Sequence, residues 1–152
     1  GSSSNLLINN RRIMEEHSGG CLCGGVLFKL KGPLRPVIYC HCSQCRKTHG
    51  HFAAYTAVPR GRIEWRKKES LSWYDSSNSA RRGFCSHCGA SLFYEPHGSP
   101  TLSVSAGVLD DPTGLSAAGH IFFRDRSDYY EIDDRLSRYD QEPDPEFRSC
   151  DV

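Results

Sequence analysis

Long apolar runs are missing from this 152-residue chain. Nothing in it approaches the roughly 18 consecutive apolar residues that a membrane helix needs, so no membrane partner is expected. Charge of one sign is missing too: 19 Lys+Arg stand against 18 Asp+Glu, for a formal net charge of +1. Proteins that grip a phosphate backbone present a basic face, so nucleic acid is not an expected partner. No long stretch carries the 3.6-residue apolar period of an amphipathic helix, which excludes a helical bundle. Methionine occurs once, as Met14. Together with Gly1-Ser2-Ser3-Ser4, which resembles the remnant of a tag, it points to a native start at Met14 and a tag or disordered segment over 1–13. Residues 1–20 are polar and lack the apolar centre of a secretory signal, and the expected compartment is the cytoplasm.

What is present suits one domain of ordinary size: 38% hydrophobic and 24% charged residues. Stretches rich in β-branched and aromatic residues lie at 26–30, 37–39, 52–58, 63–65, 71–74, 91–94, 102–106 and 121–123. Gly, Pro, Asn, Asp and Ser separate them, the punctuation of strands and turns. Leu102, Val104 and Ala106 alternate with Ser103 and Ser105, a period of two that predicts one buried face. Residues 43–49 form the best candidate for a helical turn. The expected fold is a mostly β single domain of short antiparallel strands over 14–136. Residues 137–152, with Glu142, Pro143, Asp144, Pro145 and Glu146, read as an acidic tail, mobile or loosely docked.

Cysteine is abundant. There are eight cysteines, and seven fall into tight clusters: Cys21 and Cys23; Cys40, Cys42 and Cys45; Cys85 and Cys88. Cys150 stands apart as a spare thiol. In a reducing compartment such clusters bind metal more often than they form disulfides. Cys85-Ser86-His87-Cys88-Gly89 is a zinc-knuckle pattern, in which two intervening residues let both sulfurs reach one ion from a single turn. Gly89 permits a positive φ, so backbone N–H groups can turn toward the thiolates. A closed tetrahedral site needs four ligands, and Cys21-Leu22-Cys23-Gly24-Gly25 is the natural second half. A structural zinc on Cys21, Cys23, Cys85 and Cys88 would tie distant parts of the chain together and contribute to folding.

Cys40, Cys42 and Cys45 have no cysteine partner left. Three protein ligands and an open position are the arrangement of catalytic zinc. A second structural site completed by His41, His49, His51 or a more distant residue fits the spacing equally well. Thiolate clusters also call for nearby cations, and Arg46, Lys47, Arg81 and Arg82 flank them in sequence.

These motifs resemble the glutathione-dependent formaldehyde-activating (GFA) family, which also includes the domain of centromere protein V and has the β-tent fold. The residues that carry the resemblance are Gly20-Cys21-Leu22-Cys23-Gly24-Gly25, Cys40-His41-Cys42-Ser43-Gln44-Cys45-Arg46 and Gly83-Phe84-Cys85-Ser86-His87-Cys88-Gly89. A weaker match continues through Ser105-Ala106-Gly107-Val108-Leu109-Asp110 and His120-Ile121-Phe122. The resemblance implies two zinc ions per chain: a structural one on Cys21, Cys23, Cys85 and Cys88, and a catalytic one on Cys40, Cys42 and Cys45. It also implies a carbon–sulfur lyase that joins formaldehyde and glutathione into S-hydroxymethylglutathione, and the reverse.

Zinc in the open position would hold a glutathione sulfur as thiolate, with His41, His49 and His51 as candidate proton shuttles. Phe52, Tyr55, Phe84, Phe93, Tyr94, Phe122 and Phe123 are candidates either for a substrate cleft or for the core of a β domain. The alternative to a lyase is a non-catalytic zinc module that binds a protein partner. An incomplete metal shell favours the lyase, with a small thiol such as glutathione as its substrate.

Overall fold

Val26, Phe28 and Leu30 are buried while Leu27, Lys29 and Lys31 turn outward, the alternation that a pleated strand imposes when one face is covered. The computed structural model describes residues 15–148; the 1–13 segment, Met14 and Cys150 lie outside the described residues. Eleven strands run in chain order: β1 (Glu16–Gly20), β2 (Val26–Lys31), β3 (Val37–Cys40), β4 (Ala53–Pro59), β5 (Ile63–Lys68), β6 (Leu71–Asp75), β7 (Ala80–Cys85), β8 (Ser91–Pro96), β9 (Thr101–Ser105), β10 (Ala117–Ile121) and β11 (Ser137–Arg138). Among the described residues one short α-helix, α1 (Ser43–His49), follows β3. The fold is mostly β, as expected.

Three strands escape the sequence reading, the two-residue β11 in the expected tail among them. β1 (EHSGG) and β7 (ARRGFC) are poor in strand-forming residues, and pairing with β2 and with β6 and β8 overrides their propensity. The strand expected at 121–123 instead ends at Ile121. Phe122 adopts a left-handed backbone with φ 50°, and a 3₁₀ turn follows at Phe123–Asp125.

A three-stranded sheet, β1-β2-β5, packs against an eight-stranded sheet ordered β11-β10-β3-β4-β9-β8-β7-β6. Most pairs are antiparallel, but β10 runs parallel to both β3 and β11, contrary to the expected all-antiparallel arrangement. Neither pair is joined by a hairpin, so no tight turn dictates opposite directions. Between the sheets lies the larger apolar cluster, with Phe28 set against Trp65 and Phe93 at ring distances of 6.2 and 5.2 Å. A second cluster gathers around Ile38, Tyr55 and Ile121, with Cys40 and Cys45 among its buried members. Both faces of β9 are therefore covered: Leu102 and Val104 join the larger cluster, while Ser103 and Ser105 are also buried. The serine face was expected to meet solvent; the second cluster and its cavity cover it instead.

The segment read as an acidic tail is docked along its described length. Ser137 and Arg138 pair with Gly119 and His120. The Tyr139 N–H donates to the His120 carbonyl at 2.9 Å, and the Phe122 N–H donates to the Gln141 carbonyl at 3.1 Å. Phe147 closes the segment against Tyr139 at a ring distance of 5.0 Å. Two aromatic anchors and a sheet edge hold a stretch whose composition is otherwise polar. Gly119 makes the approach possible, because a Cβ there would lie 2.6 Å from the Ser137 carbonyl oxygen and 2.8 Å from Phe147 Cζ.

Gly119→Ala is therefore expected to displace this segment. Amide protection at Phe122, Phe123 and Tyr139 should fall about tenfold or more in hydrogen exchange, with the larger core unaffected. Unchanged protection would show that the docking does not depend on the absent side chain.

Candidate metal centre and adjoining cavity

Cys21 and Cys23 follow β1, Cys85 ends β7, and Cys88 sits in the turn before β8. The four sulfurs lie within 4.8 Å of one another. Cys21–Cys23 and Cys23–Cys85 are each separated by 3.6 Å, close to the roughly 3.8 Å edge of a tetrahedron with 2.3 Å zinc–sulfur bonds. The Val26 N–H donates to Cys21 Sγ at 3.2 Å and the Cys88 N–H to Cys85 Sγ at 3.4 Å. The Ser70 hydroxyl lies 3.1 Å from Cys85 Sγ and helps pull that thiol down to about 5. Gly89 takes φ 78° and its N–H returns to the Cys85 carbonyl at 2.8 Å, as the knuckle pattern requires. This donor set suits a thiophilic ion that joins the two sheets.

The second cluster is built where β3 runs into α1. Cys40 ends the strand, Cys42 caps the helix by accepting the Cys45 N–H at 3.3 Å, and Gly50 closes it with φ 79°. The three sulfurs of Cys40, Cys42 and Cys45 lie within 4.8 Å of one another. Their titration is split: sharing a proton with Cys42 pushes Cys40 up, while the same contact holds Cys42 down. Three sulfurs this close, those of Cys40 and Cys45 buried, cannot all be charged together without a cation, so this cluster also suits a metal ion. The neighbouring cation is Arg82, whose Nη2 donates to Cys45 Sγ at 3.5 Å. Arg81, on the other face of β7, is instead bound to Glu95 at 2.6 Å and stacked on Trp73.

Neither His41, His49 nor His51 belongs to the three-thiol cluster. His41 is fully buried, with Nδ1 2.8 Å from the Tyr130 hydroxyl and Nε2 2.8 Å from His120 Nδ1. His120 Nε2 continues the chain to Asp134 at 2.8 Å. Burial and His120 lower His41 to about 4. His51 Nδ1 bonds the Tyr129 hydroxyl at 2.7 Å.

His49 is the histidine that communicates with the thiols. Its Nε2 is 2.8 Å from the Tyr55 hydroxyl, and Arg82 Nη1 donates to the same oxygen at 2.9 Å. Since Arg82 can only donate, the Tyr55 proton points to His49. Burial and then Arg82 lower His49 to about 4, which keeps it a neutral acceptor. Burial also pushes the Tyr55 phenol up, so it stays protonated.

A cavity of about 390 Å³ opens beside the three thiols. Cys40, Cys42 and Cys45 line it together with Tyr55, Tyr94 and Phe122 from the expected aromatic set. Phe93 is core, Phe84 packs on Tyr74, and Phe52 and Phe123 surround His41. Three arginines, Arg35, Arg82 and Arg148, also line the cavity, against one carboxylate, Glu142. Arg82 is fixed by Gln44, whose Oε1 accepts from Nη2 at 2.9 Å and from Nε at 3.2 Å. Arg35 donates to the Tyr55 carbonyl at 3.0 Å.

Sequence reasoning missed Arg35, Glu142 and Arg148. Arg35 stands between two prolines with no spacing cue, and the other two lie in the presumed tail. Gln44 was visible only as a spacer between ligands. The arrangement brings soft sulfur donors, aromatic and aliphatic surface and three cations to one cavity.

Comparison with known proteins agrees with these motifs. The family model described as glutathione-dependent formaldehyde-activating enzyme matches residues 16–125. An uncharacterised lyase of Schizosaccharomyces pombe is 24% identical over 128 residues, covering 83% of this chain and 92% of the relative. A crystal structure of a Rhodobacter sphaeroides protein shares the fold with a TM-score of 0.56 at 22% identity, covering 68% of this chain and 98% of the other.

The two clusters should respond differently to loss of one sulfur. Cys88→Ser is expected to lower Tm by on the order of 10 °C or more, because the cross-link between sheets is lost. Cys42→Ser should leave Tm nearly unchanged, since serine also caps a helix N-terminus, but should remove one metal per chain. Thermal melts paired with metal analysis separate the cases, and global unfolding of Cys42→Ser would mark the second cluster as structural.

Proposed function

The chain belongs to the glutathione-dependent formaldehyde-activating family, and from that premise we propose that it is a cytoplasmic, zinc-dependent carbon–sulfur lyase acting on a thiol adduct such as S-hydroxymethylglutathione. In this reading Cys21, Cys23, Cys85 and Cys88 hold a structural zinc, and Cys40, Cys42 and Cys45 hold a catalytic one. The observation that carries the proposal is the meeting of a three-thiol shell with a cationic cavity of about 390 Å³. A scaffold that merely bound a protein partner would need neither an incomplete shell nor arginines turned inward.

Zinc bound there supplies a position that keeps a substrate sulfur as thiolate near neutral pH. The remaining chemistry falls to the chain. In the lyase direction the adduct hydroxyl gives its proton to Tyr55 Oη as Tyr55 passes its own to His49 Nε2. The carbon–sulfur pair leaves on sulfur as thiolate, and the aldehyde is released. The reverse sequence forms the adduct, with the proton returned to the new hydroxyl. Arg82 orients Tyr55 and offsets the negative charge of the shell. The cavity arginines supply attraction for an anionic thiol.

Metal content per chain, measured by mass spectrometry with and without excess glutathione, tests the reading. Two zinc ions are expected, one of them protected by glutathione against a mild chelator. A single tightly held zinc, indifferent to glutathione, would favour the non-catalytic module. Tyr55→Phe should reduce turnover of S-hydroxymethylglutathione by about 100-fold or more with metal content unchanged; undiminished turnover would remove Tyr55 from the proton path.

A further inference from the structure

We propose that Arg148, supplied by the docked C-terminal segment, selects substrates by binding a carboxylate remote from the sulfur, and that Glu142 occupies this position until the substrate displaces it. This inference rests on the reading of the cavity as a thiol site. The family match ends at residue 125, yet Glu142 and Arg148 lie in the cavity wall together with the three cysteines. Part of the substrate-facing surface is therefore built by residues beyond the matched region.

The other cations have structural commitments. Arg82 is spent on Tyr55, Gln44 and Cys45, and Arg35 binds the Tyr55 carbonyl. Arg148 Nη2 holds Glu142 Oε2 at 2.7 Å, while its Nε is buried without a partner among the described residues. A guanidinium presents its donors as a fork suited to both oxygens of a carboxylate, and here part of the fork is uncommitted. The Glu142 contact shows that this guanidinium accepts a carboxylate at the cavity wall. Glu142 itself is mostly exposed, with 62% of its side chain accessible, so it can be displaced into water at little cost. Phe147, packed on Tyr139, holds the segment in place next to Arg148.

The test is calorimetric binding to the zinc-loaded full chain, using glutathione and its dimethyl ester, which lacks both carboxylates, as probes. Arg148→Gln should weaken glutathione binding about tenfold, the loss of a charge-assisted hydrogen bond. Binding of the ester should change by less than about twofold, since it has no carboxylate to lose. Glu142→Gln should act in the opposite direction and tighten glutathione, because the competing carboxylate is gone. That opposite sign is not produced by local unfolding, so the proposal stays testable if Arg148→Gln folds poorly.

Equal effects on both probes, or no tightening in Glu142→Gln, would overturn the role of Arg148. If Cys42→Ser still abolished binding in that case, the thiol reading would stand alone. Failure of the wild-type chain to bind either probe would overturn the thiol reading and this inference with it.

Discussion

Sulfur crowding is the constraint around which this molecule is organised. Four thiols from two sheets approach within 4.8 Å, and three more do so at the junction of β3 and α1. Thiolates at such distances repel, and thiols buried there forgo better partners, so both clusters gain stability from a cation. The surroundings are already arranged for charged sulfur. Val26, Cys45 and Cys88 direct backbone N–H groups at sulfur atoms, and Ser70 and Arg82 add side-chain donors. The mostly β frame holds these donors in place.

The two clusters differ in what surrounds them. The four-thiol group has its sulfurs at the ends of β1 and β7, where an ion held by all four would join two sheets whose interface is filled by Phe28, Trp65 and Phe93. The three-thiol group faces the other side of the large sheet, where α1 and the C-terminal segment leave a cavity rather than a filled core. One cluster therefore adjoins the filled core and the other lines the cavity. Tyr55 belongs to both descriptions of that second side, as a buried member of the apolar cluster and as the link between His49 and Arg82.

The histidines show why adjacency in sequence misleads. His41 sits between two metal-ligand candidates, yet successive residues of extended chain point to opposite sides. It joins His120, Tyr130 and Asp134 instead. His49 lies one helical turn beyond Cys45 and reaches the site through a tyrosine hydroxyl. A similar inversion separates Arg81 from Arg82, since neighbouring positions on β7 place one on Glu95 and the other on Cys45.

The sequence by itself determined the chemistry: seven cysteines in three clusters, the knuckle turn with its glycine, the helical turn at 43–49, most of the strands and the family they belong to. These features are local, and short-range spacing and backbone preference suffice to specify them. Tertiary structure alone decided the parallel placement of β10, the burial of both faces of β9, the docking of residues 137–148 and the arginine-lined cavity. Each depends on contacts between positions far apart in the chain, where no periodicity announces a partner. A polar segment becomes part of the wall because Gly119 leaves space that Ser137 and Phe147 fill, with Tyr139 packed on Phe147, and that fit exists only once the sheet has formed.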